Sequence, residues 1–405
     1  MFHWKTIYAL LCALSALAAA ADPNDAATAT NQFALDLYRQ LAGGKPRANL
    51  LLSPYSIETA LAMTCAGADG ETRAELARAL HFPKVQAPMH ASFRALRETL
   101  ASVGNGVELR VANRLFGQEG YAFDAGMLSF MHDTYAAELE PLSFRTGLDA
   151  SRTRINGWVE AQTANRIRNI LAPGSLDERT RLVLVNALYF KAKWADQFAK
   201  AATADLPFAV PGARDVKVRT MTRRQHYGYV HRDGFTAVSV PYTGGQLHLL
   251  VLLPDAADGL AALTPKVTPE LLKEYAALGT SDVVLYLPKL KLEPETIQLV
   301  PALRALGVKT AFDPNAADFT RLAPPTTEGP LAISTVLHKT FLALDEEETE
   351  AAAATVVGIP APTAMVHREK PKEPIVVRVD HPFLFAVQHR ASGACLFLGR
   401  VVDPR

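Results

Sequence analysis

Cysteine is scarce in this chain, with three residues among 405. Cys12 falls in the N-terminal apolar stretch, which leaves Cys65 and Cys395, each within an apolar run. Two thiols do not make the disulfide framework that holds small secreted domains together. We therefore predict two free, buried thiols, although an exported protein could also join them in a single disulfide.

The sequence also lacks an excess of charge and the common motifs of catalysis. Its 42 basic and 41 acidic residues give a formal net charge of +1, so neither nucleic acid nor an anionic membrane is expected as a partner. No CxxC or HExxH spacing occurs, so we expect no metal site and no cofactor. The absence of GxSxG and of a phosphate-binding loop argues against an enzyme.

No apolar run is long enough for a comfortable transmembrane helix; the run at the N-terminus covers only Ile7 to Leu17. Lys5 precedes it, and the small residues Ala18 to Ala21 follow it, which is typical of a cleaved secretory leader. We predict a signal peptide over residues 1–21 and a mature chain, 22–405, that is secreted or periplasmic and free of the membrane. A retained membrane anchor is the alternative.

The mature chain has the pattern of a single mixed α+β domain, since no repeat or low-complexity linker divides it before residue 345. Ser53 and Pro54 are a helix N-cap and first-turn residue before a helix that is apolar nearly all round. The apolar run Arg181 to Phe190 predicts a strand buried on both faces. Further predicted elements include a helix at 150–171, strand-like segments at 331–333 and 341–344, and a closing strand pair at 383–389 and 396–402.

The most informative stretch is Glu346 to Met365, EEETEAAAATVVGIPAPTAM. Its alternate residues Thr349, Ala351, Ala353 and Thr355 are small or β-branched and would share one face of a strand. Two prolines further on stop any helix. Considered alone, the stretch is either an alanine-rich helix with a linker or an exposed loop that a sheet could accept as a buried strand.

Several separated motifs resemble the serpin family over essentially the whole mature chain. Their order and spacing carry the resemblance, since each motif alone is weak. They are NLLLSPYSIETALAM (Asn49 to Met63), INGWVEAQT (Ile155 to Thr163), LVLVNALYFKAKW (Leu182 to Trp194), LPKL (Leu287 to Leu290), HKTFLALDEEETEAAAAT (His338 to Thr355), DHPFLFAVQH and CLFLGRVVDP. Together with the leader, they identify the chain as a secreted member, which we take to be bacterial.

The resemblance implies a serpin fold, α+β, with three β-sheets, eight or nine helices and an exposed reactive-centre loop at about 346–373. It also implies a monomer that inhibits a target serine protease. The protease attacks the loop and forms an acyl-enzyme, and the cleaved loop then enters the main sheet as a new strand. A strand of about 13 residues would carry its far end roughly 40 Å. A non-inhibitory serpin that acts as a binding or chaperone module is the alternative.

The resemblance assigns roles to three groups of residues by position. The breach at the top of the sheet comprises Trp194, Lys289 and Glu346. The shutter beneath the sheet comprises Ser53, Ser56, Asn186 and His338, although a histidine in an apolar strand is also typical of a satisfied core residue. The hinge comprises Glu346, Glu347, Glu348, Thr349, Glu350, Ala351, Ala352, Ala353, Ala354 and Thr355.

Glu348 departs from the family pattern, which often has glycine there, and its bulk and charge could slow insertion. The reactive bond is Pro362-Thr363 by count from Glu346, or Thr363-Ala364 after a shift of one residue. Because no Lys or Arg lies between Glu346 and His367, a trypsin-like target is disfavoured. The small residues favour an elastase-like or subtilisin-like protease.

Overall fold

The computed structural model describes residues 21–104, 106–212, 214–327, 329–346 and 373–405. Within these ranges it contains nine α-helices and fifteen β-strands. The helices are α1 (Pro23–Gly44), α2 (Pro54–Gly67), α3 (Gly70–Ala79), α4 (Ala87–Ala101), α5 (Ala125–Tyr135), α6 (Leu148–Gln162), α7 (Leu260–Leu263), α8 (Pro269–Tyr275) and α9 (Val300–Ala305).

The strands follow in chain order from the N-terminal segment to the C-terminal pair. They are β1 (Leu50–Leu52), β2 (Val107–Gln118), β3 (Glu138–Leu142), β4 (Leu182–Ala192), β5 (Ala204–Phe208), β6 (Val216–Arg232), β7 (Phe235–Pro241), β8 (Leu247–Pro254), β9 (Thr280–Pro288), β10 (Leu290–Leu292), β11 (Ile297–Gln298), β12 (Ile333–Leu344), β13 (Ile375–Arg378), β14 (Phe383–His389) and β15 (Cys395–Val401).

A six-stranded sheet in the order β10-β12-β4-β2-β3, with β11 beside β12, forms the centre of the fold. Its strand β4 is buried from Leu182 to Phe190, because alternate side chains enter two different cores. Leu184 and Leu188 pack into the core that contains α2, whereas Val183 and Val185 pack into the core beneath α6. The prediction of a strand buried on both faces is confirmed.

The other nine strands are joined by hydrogen bonds through the long strand β6. The last residues of β6, from Gly228 to Arg232, pair with β7, and the earlier ones pair with β5 and β9. At Gly228, where the two ladders meet, a Cβ would lie 2.8 Å from that of Ser239. Hydrogen bonding thus gives two sheets, and the nine-stranded one divides at β6 into two sides. These two sides and the central sheet make the three groups of the expected α+β fold.

The helix that precedes the central sheet behaves as predicted. Ser53 caps α2, because its side chain accepts a hydrogen bond from the Ser56 amide, and Pro54 occupies the first turn. Every residue of α2 is buried. Cys65 and Cys395 are both buried and free, as expected. No helix in the described ranges combines the length and apolar character needed to cross a membrane.

Two predicted boundaries are wrong. The helix expected to reach Leu171 ends at Gln162, because Ala164 and Asn165 adopt left-handed backbone angles, with φ of 51° and 58°. Asn156 then holds the returning chain by bonding both the N–H and the C=O of Leu171, at 2.9 and 3.0 Å. The sequence predicts two separate strand-like segments, at 331–333 and 341–344. The structure has one strand instead, because β12 continues through the polar residues between them, from Ile333 to Leu344.

Candidate functional site

The hydrogen-bonded pair of β4 and β12 ends before either strand does. The two strands are parallel and paired from Leu182 and Ile333 up to Phe190 and Leu342, with one register shift between Ile333 and Thr335. Beyond that point the chain of β12 continues to Glu346 without a partner in β4. A cleft of about 200 Å³ opens there, lined by residues that include Tyr189, Lys191, Phe341 and Trp194. The central sheet is therefore already parted at its upper end, near Asp345 and the start of the predicted loop at Glu346.

Glu346 follows Asp345, which lines this cleft, and its side chain is held in place by two hydrogen bonds. Its carboxylate accepts a hydrogen bond of 2.5 Å from Lys289 Nζ and one of 2.7 Å from Thr203 Oγ1. The side chain is only 5% exposed, whereas that of Lys289 is 35% exposed. Burial alone would raise the pKa of Glu346, but the hydrogen bonds from Lys289 and Thr203 outweigh it and hold the pKa below its ordinary value.

Trp194 forms a hydrogen bond with Asp345, the residue before Glu346. Its indole Nε1–H donates a 2.8 Å hydrogen bond to the backbone carbonyl of Asp345. The ring stacks on Tyr242 with centroids 4.7 Å apart and planes at 11°, so the orientation of the donor is fixed by packing. The structure brings together all three breach residues predicted from the sequence. Thr203, which the sequence analysis missed, completes the group.

The four predicted shutter residues form one buried network where α2 meets the sheet. The Ser53 amide donates to Nε2 of His338 at 3.0 Å, and Nδ1 of His338 lies 2.5 Å from the amide oxygen of Asn186. The amide nitrogen of Asn186 donates to Ser56 Oγ at 2.5 Å. All four residues are fully buried.

Asn113 is a fifth member that the sequence analysis did not find. Its amide oxygen accepts from both Ser56 Oγ and Asn186 Nδ2, and its amide nitrogen donates to the Ser56 carbonyl. Asn113, Asn186 and His338 lie opposite one another on β2, β4 and β12, so they form a polar row across three strands. The sequence does contain a signal for Asn113, since it is a lone amide on the apolar face of β2 that also carries Leu109 and Leu115.

The network sets the protonation state of His338. Since Nε2 accepts from the Ser53 amide, the proton of the neutral ring lies on Nδ1 and is donated to Asn186. Burial lowers the pKa of His338 to about 3, so the ring is neutral near pH 7. The histidine thus spans the β4–β12 pair with a hydrogen bond that any strand entering between them must break.

Comparisons with known proteins agree with this geometry. The family model described as "Serpin (serine protease inhibitor)" matches residues 28–404. The chain belongs to the serpin family. This serpin is 36% identical over 386 residues to the human leukocyte elastase inhibitor, with 93% of this chain and 99% of the relative covered. It is 38% identical over 385 residues to the bovine protein of that name, with 93% and 98% covered.

The fold of this serpin is likewise shared with solved structures. Uncleaved ovalbumin superposes with a TM-score of 0.83 at 30% identity, covering 93% of this chain and 99% of that one. The two leukocyte elastase inhibitors named above are human and bovine, so they lend no support to the expected bacterial origin, which stays a prediction.

Much of the predicted site of this serpin lies outside the described residues. Of the hinge, only Glu346 is described. The others, Glu347, Glu348, Thr349, Glu350, Ala351, Ala352, Ala353, Ala354 and Thr355, are not, and neither are Pro362, Thr363 and Ala364 of the two candidate reactive bonds. Within the ranges described, no three His, Cys, Asp or Glu side chains are grouped so that they could hold a metal ion.

Proposed function

We propose that this serpin is a secreted inhibitor that traps a serine protease as an acyl-enzyme by inserting its cleaved loop between β4 and β12. The observation that carries the proposal is the parted upper end of this strand pair, next to Glu346. Chain that leaves β12 and folds back at Glu346 would run antiparallel to β12. Because β4 is parallel to β12, the same strand would also be antiparallel to β4.

Insertion would replace one parallel ladder by two antiparallel ones. Parallel pairing is slightly less stable per residue than antiparallel pairing. Nine residue pairs now join β4 and β12. A strand placed between them would pair with both, and each added backbone hydrogen bond contributes about 0.5–1.5 kcal/mol net. The gain is opposed by loss of the His338–Asn186 hydrogen bond and of the Glu346 contacts.

These two contacts lie at different depths in the sheet and would act in sequence. The Glu346–Lys289 pair lies at the open end, so it would yield first. The His338–Asn186 bond lies midway along the ladder and would yield as the strand advances. Together they hold the unfilled sheet in a state that persists for kinetic reasons rather than because it is the most stable arrangement.

Inhibition would result from competition between the rate of loop insertion and the rate of hydrolysis of the acyl-enzyme. Attack by the serine of the protease on the loop carbonyl breaks one peptide bond and forms an ester, while the amine of the following residue leaves. Water then hydrolyses the ester unless insertion first carries the protease away and distorts its active site. The serpin is consumed as a substrate and does not turn over, so it is not an enzyme.

The target is a serine protease with a small specificity pocket, either elastase-like or subtilisin-like. The residues Ala361 to Ala364 are small, and no Lys or Arg lies between Glu346 and His367. Two relatives of this serpin carry the name leukocyte elastase inhibitor, which supports the elastase-like choice. The leader predicted at residues 1–21 supports action outside the cytoplasm. The serpin would act as a monomer and without a cofactor.

Incubation of residues 22–405 with pancreatic elastase and with subtilisin tests the proposal. Denaturing electrophoresis should show a band at the summed mass of serpin and protease, and mass spectrometry of the released peptide should place the cut at Pro362-Thr363 or Thr363-Ala364. Trypsin is the control and should give no such band by cleavage within 346–366. The proposal fails if every small-pocket protease yields only clipped serpin.

A non-inhibitory binding or chaperone role is the second candidate, and Glu348 favours it. A carboxylate at this hinge position resists entry into a packed sheet, since burying an unpaired charge is costly. Glu348→Gly separates the two functions. If the wild-type chain forms no complex but the variant does, the hinge residue alone has removed inhibition.

A further inference from the structure

A second cleft, of about 480 Å³, lies among α2, α3, α4 and α5, and no described residue of β4 or β12 lines it. Its volume falls within the range of about 300–1,000 Å³ that is typical of small-molecule pockets. Met127 and Phe130 of α5 and Ala91 of α4 supply an apolar wall. The cleft thus has the size and the apolar lining of a ligand site.

Two guanidinium groups at this cleft have no anionic partner among the described residues. Arg73 Nε donates to the neutral amide oxygen of Gln86 at 2.9 Å, which leaves its two terminal nitrogens for other acceptors. Among the described residues, neither Arg73 nor Arg321 makes an ion pair with a carboxylate. Arg94 also lines the cleft but pairs with Glu98 at 3.0 Å, and Asp133 is the one carboxylate among the lining residues. The excess positive charge therefore belongs to Arg73 and Arg321.

His90 adds a neutral donor between these charges. Burial, together with the positive charges of Arg73 and Arg321, lowers its pKa to about 4, so the ring is uncharged near pH 7. Nδ1 lies 2.5 Å from the hydroxyl of Tyr135, whose pKa burial raises well above 10. Because the ring is the only described hydrogen-bond partner of that hydroxyl, the hydroxyl donates to Nδ1. The ring proton then lies on Nε2, the nitrogen that remains for a ligand.

We propose that this cleft binds a small amphipathic anion, a carboxylate with an apolar chain. The carboxylate accepts from the terminal nitrogens of Arg73, from Arg321 and from Nε2–H of His90. Arginine suits this role because its planar fork matches the two oxygens of a carboxylate. The apolar chain lies along Met127 and Phe130. In comparison, a bare inorganic anion would bond only to the arginines, and a neutral alcohol with an apolar chain would contact only the apolar wall.

Calorimetric titration of the mature chain with decanoate, decanol and inorganic sulfate tests both parts of the proposed ligand. We expect decanoate to bind at least tenfold more tightly than either of the others, since only decanoate uses both charge and apolar contact. Equal binding of decanol would show that the cleft is merely apolar, and equal binding of sulfate would show that it is merely basic. Either result, or no binding of decanoate, overturns the proposal.

Single substitutions test whether decanoate binds in this cleft. Arg73→Gln and Arg321→Gln should each weaken decanoate binding at least fivefold, and Ala91→Phe, which fills the cavity, should abolish it. Arg78→Gln is the matched control, because Arg78 lies on the same helix as Arg73 but is exposed and pairs with Glu71 outside the cleft. Arg321 is exposed, so its variant should melt like the wild type even if the Arg73 variant folds poorly. A loss in Arg78→Gln equal to that in Arg321→Gln, or no loss in any cleft variant, contradicts the assignment.

Discussion

Glu346 lies two residues beyond the end of β12, at the start of the predicted loop, and its carboxylate is almost fully buried. A buried carboxylate requires partners, and Lys289 and Thr203 provide them. Because the pKa of Glu346 is lowered in the folded chain, its ionised carboxylate stabilises the folded state, and this contribution is complete above the ordinary glutamate pKa. It is lost as the pH falls through the lowered value.

We expect Lys289→Met to destabilise the native state by about 1 kcal/mol, because a half-exposed lysine contributes less than a fully buried partner. The urea midpoint at pH 7 measures the change. The variant should also reduce the fall in stability between pH 5 and pH 3, since Glu346 then loses the donor that lowers its pKa. Lys291→Met is the control, because Lys291 is 67% exposed and pairs with Glu293 instead. Identical midpoints for the two variants would mean that the Glu346 pair contributes nothing.

His338 carries a second pH effect of the same sign. Its folded pKa of about 3 lies below the ordinary value of 6.5, so the unfolded chain binds a proton that the folded chain does not. Stability should therefore decline as the pH falls from about 6.5 toward 3, with a limiting slope of about 1.4 kcal/mol per pH unit for one proton. His90 and His248 add to this decline, because burial lowers the pKa of each.

His338→Gln should flatten the pH dependence by about one proton, because glutamine keeps polar contacts but does not titrate. Urea unfolding at intervals between pH 4 and pH 8 gives the slope for each protein. His231→Gln is the control, because His231 is exposed and lies outside the network. If the slope of His338→Gln equals that of the wild type, the ring is not held neutral as described.

At the scale of elements, the proposed insertion depends on the parallel pairing of β4 with β12. The polar row of Asn113, Asn186 and His338 crosses this pair on the face toward α2. The N-terminus of α2 supplies the Ser53 amide and the Ser56 hydroxyl to the same row. Separation of β4 from β12 thus also disturbs the start of α2, so the helix and the sheet resist opening together.

Thr349→Arg should convert the inhibitor into a substrate. Thr349 begins the small-residue face of the predicted inserting strand, and an arginine there would have to be buried without a partner. Entry slows, and about 1.4 kcal/mol already changes a rate tenfold, whereas deacylation of the protease is unaffected. The measured quantity is the number of moles of serpin consumed per mole of protease silenced, which should rise at least tenfold.

Glu350→Arg is the control for this experiment. In an inserted strand, residue 350 would lie on the opposite face from residue 349, so the same arginine should cost much less there. Equal consumption for wild type and Thr349→Arg, or a larger effect at Glu350, would show that the assumed register of the strand is wrong.

At the scale of the whole molecule, cleavage of the loop should increase stability rather than reduce it. We expect a cut anywhere within Gly358 to Met365 to raise the melting temperature by at least 20 °C, because the released chain gains ladder hydrogen bonds on both of its edges. Calorimetry before and after limited proteolysis measures the shift. A cut at an exposed site elsewhere serves as the control. An unchanged melting temperature after loop cleavage would falsify the proposal that the uncleaved state persists only for kinetic reasons.

The type and spacing of side chains along the sequence determined much of the secondary structure of this protein. The N-cap at Ser53, the buried strand from Leu182 to Phe190 and the final strand pair all follow from side-chain type and spacing, because they depend on near neighbours and on burial. The motifs that resemble the family also marked Trp194, Lys289 and Glu346 before any contact was known. Local patterning failed at residues 163–171, where bonds from Asn156 to Leu171 turn the chain although the apolar spacing continues.

Only the tertiary structure decided which polar groups meet. Asn113, Asn186 and His338 are separated by 73 and 152 residues, and strand register alone places them side by side. The same holds for Thr203 on Glu346, and for Arg73, His90 and Arg321 around one cleft. Spacing along a chain predicts the face of an element, but long-range contacts depend on how elements pair. The sequence therefore determined the parts and their faces, and packing determined the sites.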